Sequence, residues 1–486
     1  MRSFLRGQRG IRFAKLTPEQ CGQLHEAVLE LLGDVGVELN HPRAMGLLAQ
    51  AGATVEGNRA RIPGELIESA LALAPSTIVL HDRAGEPVMP AGEDRVFFGT
   101  GSETPFILDH RTWDRRHGCL ADVAEGARVV EALPNFDFLM SLFLPWDLDP
   151  KVAYLRQYKA MLEGCTKPML LVTPNPSDVP VMMAMQEAVV GGETERLTRP
   201  RAMVYVNVTN PLRQEYEELE KALFCAEHGV PFAYVAPVLP GLMGPVIPPG
   251  STVVGLAGEL VGLLVAQLAR EGAPVAISGG ITGVMDMKSM ITSYAAPEDR
   301  IISGEMARHY RVPHFGLGGS TDSKLVDGQA AAEAALTLYT EALVGSNIIH
   351  DIGYMEAGSV NSLAQLVICD ELIGWVRAIM KPLEIDATTL PLDLIREQGI
   401  GGDYLTTDHT MEHFGELWYP TLFDRRKFDK WVAGGRKDLT ASAVETVERI
   451  LAAESPAPLD PATVGALDSI IAEHTAGKEG TRPEAA

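Results

Sequence analysis

The sequence predicts an α/β fold, a (β/α)₈ barrel with an N-terminal helical cap and a C-terminal helical extension. Three observations support this prediction. Eight short apolar runs alternate with longer helical patterns between residues 95 and 382. Several of these helical patterns end at a glycine, a common way to terminate a helix. Two segments, 318–330 and 348–353, lead apolar residues into a sharp polar loop, as barrels do where they carry their chemistry.

The cap is predicted to comprise residues 1–94, with helices at 18–40, 41–52 and 63–74 before any strand. The chain starts with four arginines, Arg2, Arg6, Arg9 and Arg12, and no apolar run among them. A secretory signal would need such a run. We therefore expect an arm that packs on the base of the barrel or on a neighbouring subunit.

The barrel itself is predicted to span residues 95–382. Its eight expected strands are 95–98, 138–144, 169–173, 202–208, 232–235, 275–278, 314–317 and 347–351. Helical patterns at 152–163, 214–228, 253–271 and 326–344 run between them. The apolar stretch 253–268 contains Glu259 and Gln267 and is shorter than the ~20 apolar residues that span a bilayer, which indicates a buried helix.

The C-terminal part is expected to be less regular. Residues 383–452 are predicted to hold Pro- and Asp-rich loops with two or three helices. Residues 453–486, rich in Pro, Ala and Glu, are predicted to form a mobile tail with one weak helix near 462–474.

Composition narrows the function classes. The chain has 486 residues, 46% of them hydrophobic, which is enough to bury a large core. Its net charge of −23 opposes binding to nucleic acid or to anionic membranes. The five cysteines are far apart with no CxxC pair, which favours a reducing, cytoplasmic compartment and argues against a thiolate metal site.

Two familiar site types fit the sequence poorly. The chain has no GxxxxGK[ST] phosphate loop, and the segment 99–101 lacks the third glycine of a dinucleotide site. His409 and His413 stand four apart and could share a metal on a helix. However, the glutamate between them is not in the HExxH position, so hydrogen-bonding roles are favoured.

Lys324 is a third candidate, because a desolvated lysine at a barrel rim can form a Schiff base. It lies in a polar loop beside Asp322 and Asp327, which would keep it charged. The sequence therefore favours a paired, structural lysine.

Aromatic and small polar residues recur at the predicted strand ends. Aromatic faces attract quaternary ammonium groups, and a nearby carboxylate compensates the charge. The pattern favours a mouth that binds a small methylated cation, although alternate strand residues also fill a barrel in layers. The residues are Phe97, Phe98, Glu103, Phe143, Trp146, Thr173, Asn175, Tyr205, Asn207, Asn210, Tyr234, Ser278, Thr282, Asp322, His350 and Tyr354.

Five motifs resemble the trimethylamine methyltransferase (MttB-like) family, whose members pass a methyl group from a methylated amine to a corrinoid protein. They are Phe-Gly-Thr-Gly at 98–101, Asn-Val-Thr-Asn-Pro-Leu at 207–212, Gly-Gly-Ile-Thr-Gly at 279–283, Gly-Ser-Thr-Asp-Ser-Lys at 319–324 and Ile-His-Asp-Ile-Gly at 349–353. The stretch 408–420 and the cap are also similar, so the resemblance covers nearly the whole chain.

The resemblance implies the branch without pyrrolysine. Archaeal trimethylamine enzymes of the family carry pyrrolysine as an electrophile, and its position is expected in or near residues 320–327, where this chain has standard residues. A tertiary amine needs activation before its methyl group is displaced, whereas a quaternary ammonium already carries a neutral leaving group. We therefore expect a methyltransferase that moves a methyl group from a betaine, such as glycine betaine, proline betaine or carnitine, to Co(I) of a corrinoid.

The resemblance also implies partners and roles. The corrinoid is expected on a separate protein, with no tightly bound cofactor or metal, and the chain is expected to form a homo-oligomer. Asp322 and His350 are the expected catalytic residues, and His350 is also the expected anchor for a substrate carboxylate. The other expected substrate contacts are Phe98, Glu103, Trp146, Tyr205, Asn207, Tyr234, Gly279, Gly280 and Tyr354.

Two rival functions remain open. One is a barrel lyase or hydrolase that uses Lys324, Asp322 and His350 on a carbonyl substrate, and the other is a betaine-binding subunit without catalysis.

Overall fold

The computed structural model describes residues 12–209, 211–281, 283–454 and 458–476. Seven parallel strands lie within two residues of their predicted bounds. They are Phe97–Thr100, Met169–Leu171, Ala202–Asn207, Phe232–Val235, Val275–Ile277, Phe315–Leu317 and Ile348–Ile352. The predicted strand at 138–144 forms only isolated parallel bridges at Phe138, Leu139 and Phe143. Leu142 interrupts it, because its φ of 65° is incompatible with extended pairing.

The parallel strands form two hydrogen-bonded sheets. One contains, in spatial order, the strands that start at Met169, Ala202, Phe232 and Val275, and the other places Ile348–Ile352 between Phe315–Leu317 and Phe97–Thr100. Single parallel bridges, Gly99 to Phe138, Leu139 to Met169 and Ile277 to His314, link the two sheets at both edges. The predicted α/β class is confirmed, while the regular ladders remain two separate sheets rather than one closed ring.

Helices separate the parallel strands. They are Leu120–Ala132, Pro150–Gly164, Asp178–Val190, Glu193–Thr198, Tyr216–Glu227, Pro248–Ala269, Ile301–Tyr310, Gly328–Val344 and Leu363–Met380. Their ends follow local chemistry: Asp327 accepts a hydrogen bond from the Ala330 N–H at one end of Gly328–Val344, and Gly345 closes the other end with φ 85°. We call the side of the sheets at the carboxyl ends of the strands the carboxyl face, and the opposite side the amino face.

The helix Pro248–Ala269 is long and apolar enough to cross a membrane by length and composition, but 78% of its most apolar window is buried inside the protein. Glu259 and Gln267, which interrupt its apolar run, are both buried. The helix therefore belongs to the protein core, as its sequence indicates.

The N-terminal segment is not purely helical, so the prediction of helices alone before the first barrel strand is wrong. The helices Pro18–Asp34, Pro42–Ala51 and Gly64–Leu73 are present. Between them, the strands Val37–Leu39, Thr54–Glu56 and Arg59–Arg61 form a small sheet that also includes Arg213–Gln214. The sequence signal was the Gly57–Asn58 turn, in which Gly57 has a φ of 66°. A second hairpin pairs Thr77–Leu80 with Met89–Gly92.

The described part of the N-terminal arm lies on the amino face. The Phe13 N–H donates to the Leu343 carbonyl over 3.0 Å. The Lys15 N–H donates to the Glu305 carboxylate over 2.7 Å. Arg2, Arg6 and Arg9 lie outside the described residues.

The C-terminal region has four helices before residue 453, Leu392–Gln398, Asp408–His413, Phe428–Ala433 and Leu439–Ala452. A fifth helix, Pro461–Thr475, packs against Pro150–Gly164 and Asp178–Val190. Leu467 and Ile471 of this helix are fully buried, and Asp468 accepts hydrogen bonds from Arg156 and Lys159. The helix predicted near 462–474 is therefore present, and it packs on the protein through two apolar positions four residues apart.

We expect Leu467→Ala to lower the free energy of unfolding by about 2–5 kcal/mol, since the change deletes a fully buried side chain and leaves a cavity. Denaturant unfolding measures the change, with Leu242→Ala as the matched control because Leu242 is exposed. Equal effects of the two variants would show that the C-terminal helix does not pack on the protein in solution.

Candidate active site

Strand alternation separates the expected site residues into two groups. Side chains of Phe97, Met203, Ala233 and Phe315 share one apolar cluster between the sheets, with Tyr205 packed against it. Phe98 and Tyr234 face the other way, into the cluster that the sheets form with the outer helices. Successive strand residues point to opposite faces, so Phe97 and Phe98 cannot both line an interior site.

A cavity of about 210 Å³ opens at the carboxyl face. Its wall combines aromatic rings, two buried histidines, a buried arginine, two buried carboxyl groups and a few small or apolar side chains. The lining residues are Tyr205, Asn207, Val235, Pro237, Leu239, Met243, Ser278, Ile281, Tyr294, Arg300, Ser303, His314, Phe315, Gly316, Leu317, Glu341, His350 and Asp351. Of the residues expected at the mouth, the cavity therefore brings together Tyr205, Asn207, Ser278 and His350.

A backbone irregularity aims two neighbouring residues into this cavity. The pairing of Ile348–Ile352 with Phe97–Thr100 shifts register between Ile349 and Ile352. Within that bulge Asp351 adopts a φ of 65°, a left-handed conformation that is uncommon for a residue other than glycine. As a result, His350 and Asp351 both line the cavity, which regular alternation would forbid.

His350 forms part of the aromatic wall. Its ring stacks on Phe315 with the centroids 3.8 Å apart, and Tyr205 lies 6.2 Å away. Its Nδ1 is 2.6 Å from the Gly316 carbonyl, which can only accept, so Nδ1 carries the proton. Burial lowers the pKa of His350 to about 3, so the ring is neutral and Nε2 carries a lone pair. The expected role of His350 as a donor to a substrate carboxylate does not fit this geometry.

Three buried side chains that can carry a full charge share the cavity: Arg300, Glu341 and Asp351. Burial raises the pKa of Glu341 and of Asp351 to about 7 in each case, and the nearby Arg300 guanidinium opposes both shifts. Burial also lowers the pKa of Arg300, but an arginine remains charged in proteins. The site therefore holds a permanent positive charge and two carboxyl groups that titrate near neutral pH.

A hydrogen-bonded chain assigns the proton on Glu341. His314 Nε2 lies 3.0 Å from the Ser278 carbonyl and must donate to it, so His314 Nδ1 accepts from Ser346 Oγ over 2.8 Å. The single hydroxyl proton of Ser346 is then used, and its 2.5 Å contact with Glu341 requires Glu341 to donate. A protonated Glu341 agrees with its raised pKa.

Asp322, an expected catalytic residue, is part of the scaffold outside the cavity. Its carboxylate accepts from Ser293 Oγ over 2.6 Å and from the Tyr294 N–H over 2.9 Å. The Tyr294 carbonyl in turn accepts from both terminal nitrogens of Arg300, over 3.1 and 3.2 Å. Asp322 thus fixes the segment that positions Tyr294 and Arg300.

Lys324 is exposed and donates to the Asp322 carbonyl over 2.7 Å. It does not line the cavity. This position fits a structural role for the lysine. The hypothesis of a barrel lyase or hydrolase therefore lacks a lysine in the cavity that could form a Schiff base.

The Gly279–Gly280 turn is built by Glu259. The Gly279 N–H donates to this buried carboxylate over 2.8 Å, so it is not free to donate to a substrate carboxylate. A side chain at Gly279 would clash with the Ser303 carbonyl, and one at Gly280 with the backbone of Pro248–Ala269. The two glycines allow close packing of the turn, and they do not lie among the residues that line the cavity.

Three expected cage residues lie elsewhere. Phe98 packs in the outer cluster with the Arg377 guanidinium 4.9 Å above its ring. Tyr234 is fully buried there and donates its hydroxyl to Gln214 over 2.6 Å. Trp146 stacks on His117 with the centroids 4.3 Å apart. These placements remove all three from the aromatic wall of the cavity.

Glu103 and Tyr354 lie next to the cavity. The Tyr354 hydroxyl lies against both the Ser102 carbonyl and Asp351, and its interaction with Asp351 moderates the raised pKa of that carboxyl group. Burial raises the pKa of Glu103 to about 8, against the opposing effect of Lys221. Asn210 and Thr282, also expected at the mouth, lie outside the described residues.

No cluster of three or more His, Cys, Asp or Glu side chains within the described ranges could hold a metal ion. His409 Nε2 contacts the Thr388 carbonyl over 2.9 Å, and His413 Nδ1 contacts Glu416 over 2.8 Å. Each histidine therefore has a hydrogen-bond partner near a short helix.

Sequence reasoning missed Tyr294, Arg300, Glu341 and Asp351. The sequence could have indicated Asp351, because a His-Asp pair inside an apolar strand places two consecutive polar residues where strand alternation would direct only one to the interior. The indication for Glu341 was weaker: an ionisable residue on the buried face of the apolar helix Gly328–Val344. Arg300 follows a one-turn helix, Pro297–Asp299, and nothing in its local sequence indicates burial.

Known proteins resemble the chain along almost its whole length. The family model described as trimethylamine methyltransferase (MTTB) matches residues 6–478. The trimethylamine methyltransferase MttB of Desulfitobacterium hafniense is 29% identical, over 96% of this chain and 94% of that protein. A glycine betaine methyltransferase of the same species is also 29% identical, over 97% of this chain and 99% of that protein.

The fold has a solved relative. The monomethylamine methyltransferase MtmB of Methanosarcina barkeri matches 98% of this chain and 91% of its own, with a TM-score of 0.50 and 11% identity. This likeness concerns the fold alone. The family model covers far more than half of the sequence, and the chain therefore belongs to the trimethylamine methyltransferase (MTTB) family.

Proposed function

We propose that this protein transfers a methyl group from a betaine, a quaternary amine that also carries a carboxylate, to the Co(I) corrinoid of a partner protein. One observation carries the proposal: a single cavity holds aromatic rings, a carboxyl group that titrates near neutral pH and a buried guanidinium. These are complementary to the two opposite charges of a betaine. The family includes both trimethylamine and glycine betaine methyltransferases.

The aromatic wall and Asp351 suit the ammonium group. Tyr205 and Phe315 have centroids 5.5 Å apart, and Tyr294 lines the same cavity. Ring faces attract a quaternary ammonium, and the attraction strengthens where water is excluded. The ionised form of Asp351 would add charge compensation, which no neutral ligand could use.

Arg300 suits the carboxylate. A guanidinium offers planar donors that match a carboxylate, and a charged hydrogen bond of this kind is stronger than a neutral one. Arg300 lies beside Glu341 and Asp351, whose raised pKa values weaken their negative charge near neutral pH. We therefore assign the anchor role to Arg300 rather than to His350.

The corrinoid has to come from outside. The cavity has room for a small amine but not for a corrin ring. Two adjoining loops beside it expose large apolar side chains, Leu242, Val246, Ile247, Met287, Met290 and Ile291, that suit a protein partner. When presented there, the reduced corrinoid would supply the nucleophile that takes the methyl group.

The residues of this chain then have three tasks. They orient the N–CH₃ bond toward the opening, keep water from the ammonium and hold the carboxylate in place. No lysine or cysteine occurs among the described residues that line the cavity, so none could activate an amine covalently. A quaternary ammonium needs no such activation.

We also propose that the eight strand segments together form one (β/α)₈ barrel. The three single bridges between the two sheets support this reading, as does the position of the cavity at the carboxyl ends of the strands.

With free cob(I)alamin as the acceptor, we expect methyl transfer from at least one betaine and little from trimethylamine or dimethylglycine near neutral pH. The absorbance change of cobalamin on methylation measures it. Equal rates for trimethylamine and betaines would refute direct attack on a quaternary amine. No transfer from any quaternary amine would favour the betaine-binding subunit instead.

Arg300→Gln should weaken betaine binding at least tenfold, because a charged hydrogen bond contributes about 1.5–3 kcal/mol. Tetramethylammonium, which lacks a carboxylate, should bind equally well to variant and parent in calorimetric titration. Arg396→Gln is the matched control, since Arg396 is exposed and pairs with Asp393 on the surface. Loss of both ligands in Arg300→Gln would mean that Arg300 only supports the fold.

Betaine affinity of the parent relative to that of Asp351→Asn should rise with pH through about 7, because Asp351 has a raised pKa and binds a cation best when ionised. Glu341, whose pKa is also about 7, titrates in both proteins and cancels in this ratio. One group with this pKa allows a change of about tenfold in the ratio between roughly pH 6 and pH 8. Calorimetric titrations of both proteins across this range measure it. A ratio that stays constant across this range would assign the titration to another group.

A further inference from the structure

The segment 381–442 has regular structure but no core. It contains the helices Leu392–Gln398, Asp408–His413 and Phe428–Ala433, yet not one of its residues is buried. Thirteen large apolar side chains of the segment are exposed, among them Leu383, Ile385, Ile400, Leu405, Leu417 and Phe428. Burying apolar side chains is the main means of offsetting the entropy of ordering a segment, so the exposure of this many in one segment favours a covering partner.

The segment is attached at a few points. The carboxylate of Glu371 accepts from the backbone N–H groups of Thr421, Leu422 and Phe423. Trp418 stacks on Trp375 with the centroids 5.5 Å apart. These contacts hold the middle of the segment against the helix Leu363–Met380 and leave its outer side uncovered.

The segment begins far from the cavity. Arg377, near the end of Leu363–Met380, pairs with Asp137, which precedes the first bridge of the 138–143 segment and so lies at the amino face. The chain continues from that face along the outside of the molecule, and reaches the carboxyl face where Thr440 donates to the Val326 carbonyl. The apolar loops beside the cavity are a separate surface.

Charge along the segment is divided into two halves. Residues 383–416 contain eight acidic residues and one arginine, whereas residues 425–437 contain six basic residues and one aspartate. In a two-fold symmetric dimer, a surface that meets its own copy places residue i against j and j against i. The acidic half of one copy can therefore face the basic half of the other.

We propose that residues 383–437 form the interface with a second copy of this chain, with the acidic half of each copy against the basic half of the other. The apolar side chains between the charges form its core. This proposal is independent of the methyl-transfer function, because none of these residues lines the cavity.

Sedimentation velocity on the full-length protein tests the interface. The parent protein should be a dimer or larger, and Leu405→Asp and Phe428→Asp should each raise the dissociation constant at least tenfold. Leu405 is 73% exposed, and the matched control is Ile247→Asp beside the cavity, where Ile247 is 67% exposed. A monomeric parent, unchanged association in both variants, or dissociation caused by Ile247→Asp would overturn the proposal.

Charge reversal gives a second test that does not depend on apolar residues. Glu397, Glu412, Lys427 and Lys430 make no ion pair with any other described residue, so reversing them should leave the fold intact, which circular dichroism checks. Glu397→Lys with Glu412→Lys should weaken association at low salt, as should Lys427→Glu with Lys430→Glu. All four changes in one chain should restore it, and failure to restore it would refute the pairing of the two halves.

Discussion

The buried guanidinium of Arg300 is the constraint on which the rest of the site depends. A positive charge in a low-dielectric cavity is costly unless other groups compensate it. Glu341 and Asp351 lie beside it, and Arg300 lowers the pKa of each carboxyl group against the larger effect of burial. The result is a cavity in which a charged ligand can replace part of the missing solvation. A ligand with both signs of charge fits it better than one with a single charge.

Two carboxyl groups outside the cavity, Asp322 and Glu259, position this arrangement. Asp322 ties the segment at 293–294, whose carbonyl binds Arg300. Glu259 accepts from Ser278 and Gly279 and holds the turn beside the cavity, while burial raises its pKa to about 7. Glu371 has a comparable role elsewhere, because it ties the C-terminal segment to the helix Leu363–Met380. Asp322 follows a barrel strand, where a carboxylate can be catalytic, but its hydrogen bonds give it a scaffold role.

The sequence predicted the strands well where apolar runs are continuous and the flanking turns are strong. Phe232–Val235 was predicted to the residue, whereas the 138–144 strand is broken by the left-handed conformation of Leu142. The candidate site was predicted less well, because it depends on which face each strand residue presents. Phe98 and Tyr234 are each one residue away from a strand position that faces inward, so their side chains lie on the outer face. Asp351 reaches the cavity only through a bulge. A one-residue shift in strand register or a single bulge is invisible to composition and periodicity.

The same constraint bears on selectivity between the two substrates named among the relatives. Trimethylamine has no carboxylate, so it would add no ionic contact to the Arg300 guanidinium that lines the cavity. A site built to pair a charged group rejects an analogue that lacks the counterpart far more strongly than an apolar pocket rejects a missing methyl group. Discrimination would therefore come from the carboxylate end, while the aromatic wall accepts any methylated ammonium. Under the proposed function, residues remote from the reacting methyl group would select among betaines, because they would fix the distance between carboxylate and ammonium.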